Sequence, residues 1–181
     1  MSVRLADRPL QETHPFAVIP KGAGRQGFSV IVSHAGDWTA RLIASPPTAL
    51  WTRGVPQCGV LRVACMFRRV VVVATGSGIG PCLGLFSGRP DVQARVLWST
   101  PSPLQTYGAA IMATVKQADD KAVIIDTRKT GRPDLVALAY LLYEKSCAEA
   151  MMVISNPRVT QAVVHGMEQR GVPVYAPIFD S

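Results

Sequence analysis

The residues best placed to do chemistry are Thr75-Gly76-Ser77-Gly78-Ile79-Gly80-Pro81. Closely spaced glycines leave backbone N–H groups open to an anion, and a helix that starts there adds the positive end of its dipole. Gly76 and Gly78 are read as positions whose backbone conformation a Cβ would forbid. Pro81 suits a first helical turn, where its missing donor is not needed. The implied chemistry is the holding of a nucleotide phosphate. Gly76, Ser77, Gly78, Ile79, Gly80 and Pro81 are therefore candidate cofactor contacts. The alternative is a tight strand-to-helix turn with no ligand.

The elements that must position this turn flank it. Val70-Val71-Val72-Val73 reads as a strand buried on both faces, and Cys82 to Phe86 is helix-compatible. From about residue 56, strands are expected at 69–74, 94–99, 121–126, 150–154 and 172–175. Helices are expected between them at 81–87, 106–116, 133–146 and 157–170. Strands alternating with helices imply a parallel sheet with right-handed crossovers. Such sheets bind ligands at the carboxyl ends of their strands. Gly76–Pro81, Ser99–Pro103, Thr127–Arg132 and Ser155–Pro157 all fall there.

Residues 1–55 read differently. Strands are expected at Phe16–Pro20, Phe28–Val32 and Ala49–Gly54, with a turn at Lys21-Gly22-Ala23-Gly24. A short helix follows Gly36, with Asp37 as its N-cap. Three strands cannot close a barrel. The expected fold is α/β: a parallel-sheet nucleotide-binding domain over 56–181, preceded by a partial (half) antiparallel β-barrel over 1–55. Open sheet edges are usually covered, so a homodimer or a partner chain is expected over the N-terminal segment.

The 181 residues carry a formal net charge of +7. Arg and Lys are scattered, without the basic stripe interleaved with aromatics that nucleic acid favours. An anionic small molecule is the better partner. No run approaches the ~20 apolar residues of a membrane span, and Met1–Leu5 has no apolar region of a signal peptide. Cys58, Cys65, Cys82 and Cys147 show no zinc spacing. Free thiols, a cytoplasmic location and no metal are expected. His34 and His165 are isolated, and His165 is placed on the helix face of Ala162, Val163 and Met167.

The spacing Gly76-x-Gly78-x-x-Pro81 resembles the pyridine-nucleotide domain of the ferredoxin–NADP reductase superfamily. The resemblance implies that this loop holds the NAD(P)H pyrophosphate. His14-Pro15-Phe16-Ala17 resembles the strand that lies against a flavin ring in that superfamily, so His14 and Phe16 become candidate FAD contacts. Ala17 stands where a hydroxyl residue bonds the flavin, and only the second half of the usual barrel is expected, so FAD is possible but doubtful. Val153-Ile154-Ser155-Asn156-Pro157 is similar to the Cys-Gly-Pro segment near the nicotinamide. It makes Ser155 a candidate catalytic residue together with Thr75, and Asn156 and Pro157 candidate cofactor contacts. The same residues could simply cap a helix, with Ser155 or Asn156 as N-cap. Ser99 and Thr100 end the second strand, where relatives hold the adenosine ribose, and Arg128 could supply charge for a 2′-phosphate. No acidic residue ends that strand, which favours NADP(H).

Phe28–Val32 with Gly36-Asp37-Trp38-Thr39, Leu50–Pro56, Phe67–Val71, Thr130–Asp134 and Pro177–Ser181 together look like a narrower group. It is the reductase-like C-terminal region of fungal integral-membrane proteins and of fungal adenylate-forming, synthetase-like enzymes. The implied function is an NAD(P)H-binding oxidoreductase module passing hydride, near Ser155 and Thr75, to a flavin or a small substrate. The alternative is a repurposed reductase fold, acting as a non-redox biosynthetic enzyme or interaction subunit.

Overall fold

The computed structural model describes residues 1–21 and 26–177. Residues 22–24 of the expected turn and 178–181 of the C-terminal phrase lie outside them.

The valine run forms β6 (Arg69–Thr75) at the centre of a five-stranded sheet. Around it are β7 (Gln93–Thr100), β8 (Val123–Asp126), β9 (Ala150–Ile154) and β10 (Val174–Tyr175), in the order β10-β9-β6-β7-β8. All four pairings are parallel. Side chains alternate across a strand, and β6 divides its residues accordingly. Val70, Val72 and Ala74 pack under α2 (Ile79–Gly88) and α3 (Pro103–Ala118). Val71 and Val73 pack under α5 (Leu135–Ser146) and α6 (Pro157–Glu168). Covering both faces leaves the strand no solvated side, which is why it carries no polar alternation.

The chain runs outward from β6 through β7 to β8, then returns to place β9 on the other side of β6. The crevice where the order reverses is where open α/β sheets bind ligands. Asp119 anchors the return into β8. Its buried carboxylate accepts from Val96 N at 2.8 Å and Lys121 N at 3.0 Å, and pairs with Arg95 at 2.5 Å.

The N-terminal residues form antiparallel strands, as expected, but more and shorter ones. β1 (Ser2–Ala6) is the centre of a three-stranded sheet, flanked by β2 (His14–Ala17) and β5 (Trp51–Gln57). Sequence reasoning missed β1, whose buried Val3, Leu5 and Ala6 are separated by a single Arg4. The expected strand Phe16–Pro20 divides into β2 and β3 (Ile19–Pro20), and the expected 28–32 strand shrinks to β4 (Phe28–Ser29), which pairs with β3. α1 (Asp37–Ala44) buries Trp38 beside Val3, Leu5 and Val18. Its N-cap is Gly36 rather than Asp37. Thr39 Oγ1 accepts from the N–H groups of Ala35 and Gly36, so a side chain inside the first turn supplies the cap. A 3₁₀ segment, Val60–Met66, joins the two sheets. Among the described residues no helix is long and apolar enough to cross a membrane.

Candidate functional site

A cleft of about 880 Å³ opens at the carboxyl ends of the parallel strands. Thr75 and Gly76 supply its wall from β6, and Ser99 and Thr100 from β7. Arg128 and Arg132 enter from the loop after β8, and Asn156 and Arg158 from the start of α6.

Each wall residue has a local cause. Gly76 has φ +51°, a left-handed conformation that favours glycine, and it turns the chain from β6 into a 3₁₀ turn at Gly76–Gly78. The Gly76 carbonyl accepts from Trp98 Nε1 at 3.0 Å, which pins the turn to β7. Ser33 Oγ donates to Ser77 Oγ at 3.3 Å. Gly78 has ordinary helical backbone angles, φ −57° and ψ −14°, which corrects the expectation of a special conformation there. Glycine is required instead by proximity: a Cβ would overlap the Ile154 carbonyl oxygen at the end of β9. Helix α2 then begins at Ile79, which is fully buried and whose backbone N–H donates to the carbonyls of Gly76 and Ser77. Gly80 packs on Ile31 with room for a methyl. Cys82 Sγ donates to Gly78 O, and burial pushes its thiol up to about 12, so it stays protonated.

The arginines are held by caps. Asp126 caps the short helix α4 (Thr127–Thr130), accepting from Arg128 N at 3.0 Å and from Ser102 N at 2.8 Å. These bonds, with the charges of Lys129 and Arg128, hold its carboxyl below the usual range. Gly131 (φ +76°) turns the chain so that Arg132 follows. Asn156 is the N-cap of α6 and accepts from Val159 N at 3.0 Å, with Pro157 at N1; Arg158 comes next. Among the described residues no carboxylate lines this cleft or lies within ion-pair distance of its three arginines. Three guanidinium groups without an ion-pair partner in one concavity favour an anion, phosphate above all. The Thr100 hydroxyl is buried and makes no hydrogen bond of full geometry, though Tyr107 lies beside it. Burial raises the Tyr107 phenol above its ordinary value, and the Thr100 hydroxyl pulls the other way.

Thr75 Oγ1 and Ser155 Oγ stand 2.5 Å apart. They follow the register pair Ala74–Ile154 of adjacent strands, so the sheet itself sets the contact. Beyond them lies a second cleft, to which Phe16, Pro81 and Ile154 contribute.

The expected site residues thus divide. Thr75, Gly76, Ser99, Thr100, Arg128 and Asn156 share the basic cleft, and Phe16 and Pro81 the second one. Ser77, Gly78, Ile79 and Gly80 line neither, and nor does His14. Its ring packs on Trp38 at 4.3 Å between centroids, and Nε2 lies 3.5 Å from Glu12 without forming a hydrogen bond. Pro157 is exposed in its capping position. His165 is exposed and bonded to Gln169, not on the buried face of α6, which is set by Thr160, Val163 and Met167. Sequence reasoning missed Arg158. The signal was its place, four residues past the carboxyl end of β9.

Residues 60–181 match the family model described as adenylate-forming reductase 03009, C-terminal domain. The chain belongs to this family. Adenylate-forming reductase 03009 of Coprinopsis cinerea is 49% identical over 180 residues, which are 99% of this chain and 17% of that protein. The chain therefore spans a small part of that relative. Flavohemoglobin from Malassezia yamatoensis, solved with bound FAD and heme, aligns with a TM-score of 0.71 at 16% identity, over 98% of this chain and 50% of that one. A mutant ferredoxin-NADP+ reductase from Plasmodium falciparum, in complex with 2'P-AMP, aligns with a TM-score of 0.61 at 7% identity, over 97% of this chain and 82% of that one. The fold is that of the ferredoxin–NADP reductases.

Proposed function

We propose that the chain is an NADP(H)-binding reductase module. The observation that carries this reading is the cleft in which Arg128, Arg132 and Arg158 meet the glycine turn of β6 with no carboxylate among them. The donor set fits the cofactor. The turn at Gly76–Gly78 offers backbone N–H groups to the pyrophosphate. The arginines offer planar forks to a 2′-phosphate. When bound, the cofactor supplies a hydride. The Thr75–Ser155 pair orients the reacting end by hydrogen bonding at the boundary between the two clefts. Positioning of this kind supplies much of the rate of a hydride transfer.

Tight FAD binding does not fit as well. Ala17 brings no hydroxyl to the second cleft, and His14 is engaged with Trp38. The acceptor is a small substrate or a loosely held flavin. The relative's printed name couples adenylate formation to reduction. An adenylate activates a carboxyl group, and an activated carboxyl is a suitable hydride acceptor. A diaphorase assay with NADPH, FAD and a dye tests the acceptor: turnover well below the ordinary enzyme range of about 1–10³ per second is expected. Turnover within that range would restore a flavin mechanism. β5 lies at an open edge with Trp51 and Val55 exposed, and a second copy or partner chain covers it. A strictly monomeric mass at high concentration, for a chain that is stable alone, would refute that cover.

A further inference from the structure

The second cleft, of about 660 Å³, lies between β2 and the face of α2. Its wall is mostly apolar, built by Phe16, Val60, Leu61, Pro81, Leu85 and Ile154. Apolar wall of this kind favours an apolar body that displaces its water. Two arginines reach the cleft. Arg89 is already neutralised, because Asp91 takes its Nε and Nη2 at 2.8 and 2.6 Å. Arg62 is different. Its Nη1 donates to Cys58 Sγ at 3.4 Å, and among the described residues no carboxylate lies within ion-pair distance of it. No Asp or Glu stands among the described residues of the wall. A thiol is a weak acceptor, so Arg62 keeps most of its capacity for an anion. A neutral occupant would leave that charge unanswered, and a wholly polar one would waste the wall.

We propose that this cleft binds a small organic anion. Its apolar body lies against Phe16, Leu61 and Ile154, and its carboxylate or phosphate head meets Arg62. Binding does not depend on the dinucleotide reading. A role as hydride acceptor does rest on it, through Ile154, which leads directly into Ser155.

The test uses the cysteines as reporters, without NADPH, so that failure of the dinucleotide reading cannot affect it. Cys58 is exposed and lines the cleft, whereas Cys147 is exposed at the C-cap of α5 and outside it. Alkylation by iodoacetamide is followed by mass spectrometry with octanoate, octyl phosphate, octanol or riboflavin present. Octanoate, octyl phosphate or both should slow alkylation of Cys58 several-fold more than octanol does, and leave Cys147 unchanged. Whichever protects more identifies the head group. Arg62→Ala, at an exposed position, should erase the advantage of the anions over octanol. Because Arg62 also touches the thiol, each variant is compared with itself with and without ligand. Arg62→Lys, which keeps the charge, should retain part of the advantage. Equal protection by octanol and the anions, protection undiminished in Arg62→Ala, equal slowing at Cys147, or protection by riboflavin alone would each overturn the proposal.

Discussion

A Cβ on Gly78 would overlap the carbonyl oxygen of Ile154, so the glycine turn after β6 and the end of β9 are in direct backbone contact. Neither partner is a flexible side chain. Gly78→Ala must therefore push the turn away from β9. Overpacking of this kind costs about 1–3 kcal/mol, and each kcal/mol lowers the melting temperature by about 2–4 °C in a chain of this size. Gly80→Ala meets Ile31 at an ordinary 3.6 Å and should change it little. Thermal melts of the two variants check this. Equal melting temperatures would contradict the contact.

How far the sequence reached is visible at these positions. The doubly buried β6, the alternation of strands and helices and the carboxyl-end rule put Thr75, Gly76, Thr100, Arg128 and Asn156 at the strand ends that line one cleft. What could not be read was lateral approach. The need for glycine at 78 comes from a strand 76 residues further on, and local spacing carries no trace of it. The surroundings of His14 are illegible for a related reason. A short motif shows its own residues but not Trp38, which α1 brings onto the imidazole. β1 was missed because five residues with an arginine at the centre make too brief an alternation.

The Thr75 and Ser155 hydroxyls should behave as a coupled pair. Removing one leaves the other part-buried and unanswered, at about 1–3 kcal/mol, whereas removing both can be nearly neutral. A cycle of Thr75→Val, Ser155→Ala and the double variant, read from urea midpoints, should show a coupling of roughly 0.5–3 kcal/mol. Strict additivity would mean that the pair does not form.

Acid should loosen the arginine loop through Asp126. Hydrogen bonding from Ser102 N, then from Arg128 N, holds its folded carboxyl below the ordinary value, despite an opposing contribution from burial. A depressed carboxyl stabilises the fold above its unfolded pKa of about 3.9. That contribution is lost as the pH falls through the folded value. Asp126→Asn should thus be less stable than the parent near neutrality, and the difference should shrink below about pH 4. A difference in melting temperature that stays constant with pH would exclude this role.

Titration with NADPH and NADH in parallel decides whether the three-arginine cleft holds NADPH. The parent chain, Arg128→Ala and Arg158→Ala are compared by isothermal calorimetry. A hydrogen bond to a charged group contributes about 1.5–3 kcal/mol, equivalent to roughly 10- to 150-fold in Kd. Saturable binding of NADPH, tighter than that of NADH, is expected in the parent. Each substitution should weaken NADPH by about that factor and NADH far less. NADPH binding that is absent from the parent, or unchanged in both variants, would contradict that expectation.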